Sequence, residues 1–463
     1  LDAYERAVAL DPGFAKAMVR LSEVSSNGGF IEQAEEYARR ALEQQGRLSA
    51  PDRLFAEGFQ YAVREGTWDR ALQAFERVIE LYPDYGPARL SLGYRNLRLE
   101  RYEEGLEILE KLRDRRYPFL GAYAHISIAN ANLGLFEEGY QALLEYIERN
   151  PSDYAGHARL GRHLIWWGKL DEANRVLQKA ASIYPEGTTQ AIGRWSVAVL
   201  HGDLPQAETI ASSNPIWSSW LLHYNRLYQG RSREALTLLE EATQIRQEIN
   251  PNAELDRTMA RLYNRAASVF LDRGQWDEAL TRAETAQRRG RGDWGEWWGL
   301  FTMAAAQAHL GRFDEAASTA EELRSKTELL AGHKEERRYR HLLGELALIR
   351  GVVTTAVQEF QKAESMLPPR GFGWLRSTPN LVSLWFSLAR AHLEAGDEEE
   401  AATWFRRITE SSVEHVRFPI PYVRSFYFLG KIHENRGEME QAREYYRRCL
   451  LYTSDAADEV SPG

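Results

Sequence analysis

Apolar and polar positions follow a helical period along most of the chain. In "WDRALQAFERVIELYP" the apolar positions Trp68, Ala71, Leu72, Phe75 and Val78 recur at steps of three and four. That spacing predicts an amphipathic helix with one buried stripe. The same period appears in "LDEANRVLQKAASIYP" and "FDEAASTAEELRSK", and in the intervening "ARLSLGYRNLRL" and "YAGHARLGRHLIWW". Helical segments therefore follow one another in pairs, and no pair can bury its apolar face alone.

Between the two segments of each pair stands a fixed punctuation. A glycine is followed five residues later by alanine at Gly29/Ala34, Gly66/Ala71, Gly168/Ala173, Gly202/Ala207, Gly230/Ala235, Gly274/Ala279, Gly311/Ala316, Gly351/Ala356, Gly396/Ala401 and Gly437/Ala442. Gly134/Gly139 is a variant, and Glu100/Gly105 lacks the first glycine. Ala71, Gly105, Gly139, Ala173 and Ala207 are spaced by 34 residues, whereas later spacings run from 28 to 45. The glycine suits a left-handed turn that ends a first helix. Asp69, Asp171, Asp277 and Asp314 suit the start of the second helix. The alanine lets two helices approach, and Pro83, Pro151, Pro185 and Pro368 end the second helix.

This pattern closely resembles the tetratricopeptide repeat, with Ala71, Phe75, Val78 and Pro83, and then Leu160, Gly161, Ala173, Leu177, Ala180 and Pro185, in the family's places. The resemblance runs to Cys449 as about eleven full units. It implies an all-α, right-handed superhelical solenoid of antiparallel helix pairs. The organisation expected is a truncated repeat's second helix over 1–14, a regular array over 15–220 and a less regular array over 221–448. The ending "CLLYTSDAADE" looks like the translation of a transposon-type sequencing adapter, so 449–463 is expected to be a non-native tail without a repeat face to bury. Both ends read as cut, which makes the chain a fragment.

Composition narrows the function. The chain has 463 residues, 44% hydrophobic and 27% charged, which is globular rather than disordered. A net charge of −9 argues against nucleic acid as this region's partner. No apolar run is long enough to cross a membrane, so no membrane partner is expected. A single cysteine excludes an internal disulfide and a cysteine-based metal site. A cytoplasmic location is the accompanying expectation.

Catalytic signatures fail in turn. Gly371 and Gly373 in "GFGWLR" lack a third glycine and a preceding strand, so they form no phosphate loop. His341 and Glu345 share a helix face as a surface pair, and His433 has no second histidine at metal-ligand spacing. No catalytic residue, metal or cofactor is expected. The thirteen tryptophans read as packing residues; Trp68 and Trp276 occupy the place taken elsewhere by Tyr102, Phe136 and Phe313.

The resemblance implies that the first helix of each pair lines a concave groove. Register then places Arg159, Arg162, Arg261, Asn264, Arg265, Arg338, Arg390, Arg424 and Lys431 on that face. Guanidinium forks suit carboxylate or phosphate, so the partner expected is a protein or peptide with anionic groups. The chaperone-tail carboxylate clamp is absent, since no three consecutive units supply its Lys and Asn. The function expected is a non-catalytic scaffold or sensor surface. The alternative is the C-terminal docking region of a bacterial serine/threonine kinase or of a transcriptional regulator. "LSAPDRLFAEGFQYAVREGTWDRALQAFERVIELYPDY" resembles the repeat region of such kinases.

Overall fold

The computed structural model describes residues 2–115, 117–213, 218–251, 253–328, 335–371 and 381–453, and among these every regular element is helical. The first helices are α1 (Asp2–Leu10), α2 (Ala15–Gly28), α3 (Ile31–Glu43), α4 (Ala50–Ala62), α5 (Trp68–Leu81), α6 (Gly86–Arg98) and α7 (Tyr102–Asp114). There follow α8 (Leu120–Leu133), α9 (Phe136–Arg149), α10 (Tyr154–Trp166), α11 (Leu170–Ile183), α12 (Thr188–Leu200), α13 (Leu204–Ser212), α14 (Ser218–Tyr228) and α15 (Ser232–Ile249). Next come α16 (Arg257–Asp272), α17 (Trp276–Arg289), α18 (Trp294–His309) and α19 (Phe313–Glu328). The last are α20 (Glu336–Ile349), α21 (Val353–Ser365), α22 (Leu381–Glu394), α23 (Glu398–Thr409), α24 (Pro419–Asn435) and α25 (Met439–Thr453).

After α1, which packs on α2, the described helices α2 to α25 follow one another two by two, and ten of these couples pack closely, where the sequence pattern suggested about eleven full units. Between the helices of a pair the glycine turn does what its position predicts: Gly134 has φ 82° and Gly168 φ 78°. In the unit without that glycine, Glu100 takes the same left-handed backbone at φ 65°. Gly66 departs from the pattern, because a short 3-10 turn over Glu65–Thr67 leads directly into α5. Five residues on, Ala173, Ala207, Ala279, Ala316, Ala356 and Ala401 are all fully buried at helix crossings. Trp68 is buried and donates from Nε1 to the Ala62 carbonyl at 3.1 Å, and Trp276 stacks on His309 at 5.2 Å.

The helices divide between two compact units, one of Leu1–Pro118 with Thr243–Leu342 and the other of Phe119–Ala242 with Leu343–Gly463. Each unit thus joins segments distant in sequence. In the first, the segment entering α16 docks on the C-terminal ends of α2 and α4. Arg257 donates to the carbonyls of Ser26 (3.0 Å) and Val63 (3.2 Å), where helices present unsatisfied acceptors and negative dipole ends. Arg246 reaches the Gly28 carbonyl at 3.2 Å and the buried Asp256, which caps α16. Arg337 forks onto Glu100 at 2.6 and 2.7 Å.

In the second unit, Tyr228 at the end of α14 donates to the His415 carbonyl at 3.0 Å and packs against Tyr422 of α24. Helix α25 continues through Cys449 to Thr453, and Tyr452 packs against Tyr228, Tyr422 and Phe426 at 5.6–6.2 Å. The expectation that residues beyond Arg448 have nothing to bury therefore fails as far as Tyr452. Arg448, lying over the Phe426 ring, and Tyr452 are one helical turn apart on the same face. The rest of the tail, from 454, and most of the "GFGWLR" segment lie outside the described residues.

Candidate functional site

Within the second unit α8 touches α10 and α10 touches α12, so the first helices of successive pairs share one inner layer. Their interiors are almost wholly buried. Between Ala122 and Asn132 in α8, only His125 reaches solvent. Between Gly156 and Trp166 in α10, only Arg159 and Arg162 do, and between Gln190 and Val199 in α12 only Arg194 does. In α14 the half-buried interior positions are Leu222 and Arg226. None of these four helices contains an Asp or Glu, whereas their partner α9 carries Glu137, Glu138, Glu145 and Glu148, and α11 carries Asp171 and Glu172.

His125, Arg159 and Arg162 interact electrostatically, and each is held away from its ordinary protonation equilibrium. Burial, with the added repulsion of Arg159 and Arg162, pushes His125 down to about 3. Burial and then the charge of Arg162 hold Arg159 well below the usual arginine range. Burial alone pushes Arg162 down to about 10, and its guanidinium lies 5.3 Å from the Trp166 ring centroid. The two desolvated arginines of α10 raise the local potential around the neutral His125, and strongly perturbed groups are a functional-site signal with a physical basis.

The other polar groups of these helices are committed to structure. His163 bridges the Ser127 hydroxyl at 2.8 Å and the Phe136 carbonyl at 2.7 Å, which occupies both ring nitrogens of a neutral imidazole. His157 meets the Pro151 carbonyl at 3.0 Å. Arg226 forks onto Glu208 and reaches Glu234. Trp195 donates to Asn225 Oδ1 at 2.7 Å.

The remaining groove candidates belong to other helices than α8, α10 and α12. Arg261, Asn264, Arg265 and Arg338 belong to the first unit. Arg261 covers the Trp294 ring at 5.3 Å, and Asn264 is buried with its amide on the Gly295 carbonyl at 3.1 Å, a strut between α16 and α18 rather than a surface group. Arg265 is half-buried. Arg338 pairs with Glu335 at 3.0 Å over the Trp298 ring. In the second unit Arg390 lies 3.9 Å from Glu345, Arg424 is exposed, and Lys431 pairs with Glu434 at 3.1 Å. The residues that sequence reasoning missed are His125 and Arg194. His125 stands 34 residues before Arg159, one repeat step, and that register was the available signal.

Comparison with known proteins agrees with the architecture. Tetratricopeptide-repeat family models match residues 57–120, 375–412 and 423–455. No curated protein matches the chain. Among solved structures, the chain is similar to YrrB, a TPR protein with an unusual peptide-binding site, at 20% identity over 41% of this chain and 95% of that one, TM-score 0.27. It is similar to a tetratricopeptide repeat protein from Parabacteroides merdae at 17% identity over 65% of this chain and 99% of that one, TM-score 0.38. It is also similar to a human IFIT1 dimer with m7Gppp-AAAA at 14% identity over 96% of this chain and 90% of that one, TM-score 0.38. All three likenesses are loose and concern the helical architecture alone. The matched segments show that the chain carries tetratricopeptide repeats.

Proposed function

We propose that the inner layer of the second unit is a docking surface for a protein segment carrying anionic groups, and that the chain works as a non-catalytic scaffold or sensor. One observation carries this reading: the solvent-reaching interior positions of α8, α10 and α12 are His125, Arg159, Arg162 and Arg194, all basic, in a chain whose net charge is −9. Basic groups confined to one face focus potential there and suppress wrong partners through like-charge contact elsewhere. The same surface serves the array whether it acts by itself or as the docking region of a kinase or a transcriptional regulator.

The test is fluorescence anisotropy of the full chain with acidic, neutral and basic peptide pools of equal length, at two salt concentrations. Acidic pools should bind most tightly, and higher salt should weaken them. Equal binding of all three pools would refute the charge argument.

A further inference from the structure

We propose that the seam joining residues 1–118 to residues 243–342 within the first unit is a clasp, closed at three points in register, that opens in one step while the helix pairs on either side stay folded.

The three points repeat one arrangement, in which the turn inside an early pair meets the start of a helix fourteen places later in the chain. At the α2–α3 turn, Arg257, the first residue of α16, donates from its N–H to the Gly29 carbonyl at 3.2 Å and from its guanidinium to the Ser26 carbonyl at 3.0 Å. At the end of α4 the same guanidinium reaches the Val63 carbonyl at 3.2 Å and pairs with Asp293, which caps α18. Just beyond, the Gly66 N–H donates to the Gly292 carbonyl at 3.4 Å. At the α6–α7 turn, Glu100 accepts from Arg337 in the first turn of α20. Arg257 therefore joins two of the three points. Beside the first of them Glu32 of α3 accepts from the N–H groups of Glu254 at 3.1 Å and Leu255 at 3.2 Å, and Leu255 is buried in the same apolar cluster as Ile31 and Phe59.

These contacts close the unit without fusing it. Among the described residues no helix of α1–α7 packs along a helix of α16–α20, so the two segments meet through helix ends, turns and single side chains. Opening exchanges the hydrogen bonds for bonds to water, and the net worth of each is small beside its gross strength. The couples α2/α3, α4/α5, α16/α17 and α18/α19 keep their own close packing whether the seam is shut or open. The second unit is built differently, since there α14 packs along α24 and buries Tyr228. A seam of polar end contacts with one leucine plug belongs to the low-stability parts of a fold, from which conformational changes are drawn.

The experiment is hydrogen exchange on the full chain, resolved to single amides by mass spectrometry with gentle fragmentation. The Glu254 and Leu255 amides are the reporters, because their acceptor, Glu32, lies across the seam. In the unaltered chain they should exchange at least about tenfold slower than in an unstructured peptide and at least about tenfold faster than the interiors of α3 and α17. R257Q should speed both reporters at least about tenfold through loss of charge-assisted hydrogen bonds, with the interiors of α3 and α17 unchanged. E100Q, at the third point, should speed the same reporters although it touches neither. Reporters that exchange together with the helix interiors, in the unaltered chain or in R257Q, would overturn the clasp, because the seam would then part only by unfolding. Reporters that exchange at the unstructured rate would overturn it as well, because the seam would not be closed in solution. Acceleration by R257Q without acceleration by E100Q would refute the single step.

Discussion

Glu100 is the position at which a local backbone cost and a tertiary contact can be separated by experiment. It holds the left-handed conformation, φ 65°, that glycine takes at the corresponding turns of the array. A residue with a Cβ costs roughly 1–2 kcal/mol there. Its side chain explains why no glycine replaces it: both carboxylate oxygens accept from Arg337, at 2.6 and 2.7 Å. The two side chains are only 16% and 12% exposed. This pair ties α20 to the turn before α7, so strain in one repeat is offset by closure of the first unit. Burial pulls Arg337 down and the Glu100 bond and charge more than reverse it, leaving its affinity for the proton raised.

Glu100→Ala removes the partner of a largely buried guanidinium and leaves the strain, so it should cost about 3 kcal/mol. Glu100→Gly loses the same pair but relieves the left-handed backbone, and should recover about 1 kcal/mol of that loss. Arg337→Met in the Glu100→Gly background removes the buried charge that has lost its Glu100 fork and should restore more still. Urea unfolding followed by circular dichroism reads all of these, with constant slope required because long repeat arrays can lose cooperativity. If the alanine variant is as stable as the glycine variant, strain at φ 65° is not stored at this turn. If neither loses more than about 1 kcal/mol, the Arg337 pair acts as an ordinary surface contact and the tether argument is wrong.

Two further predictions address packing and pH. Ala173 is fully buried where α10 meets α11, so Ala173→Leu should cost about 1–3 kcal/mol by overpacking, and an unchanged urea midpoint would remove the close-crossing argument. Burial pushes His415 down to about 4 from its ordinary 6.5, so the unfolded chain takes up this proton first; the contribution is whole above pH 6.5 and is lost as pH falls toward 4. At pH 5 the loss should be about 2 kcal/mol, and urea midpoints for His415→Gln should fall less between pH 7 and pH 5 than those of the unaltered chain; parallel profiles would mean His415 is not the titrating group.

The fold was legible because its determinants are local. A glycine turn, an alanine five residues on and a proline stop each act within one helix pair, and except at Gly66 they mark the same places in the folded chain, down to Glu100 in the one unit without the glycine. What sequence spacing could not carry was contact between distant repeats. Nothing in "AELDRTMARLYN" announces that Arg257 will serve the ends of α2 and α4, or that Asn264 will be a buried strut. The groove assignment suffered for the same reason. A register argument finds every polar residue on one face of a first helix and treats these residues as equivalent. Folding then separates them by what else approaches: Glu335 meets Arg338, Glu434 meets Lys431, and Glu345 lies near Arg390. Helices α8, α10, α12 and α14 bring no carboxylate of their own, a property they share with α6 in the first unit. Burial lowers Arg159 and Arg162 on α10 as it lowers Arg95 on α6: which helices lack acidic residues can be read from the sequence, but how deeply their arginines are buried is decided by what packs over them.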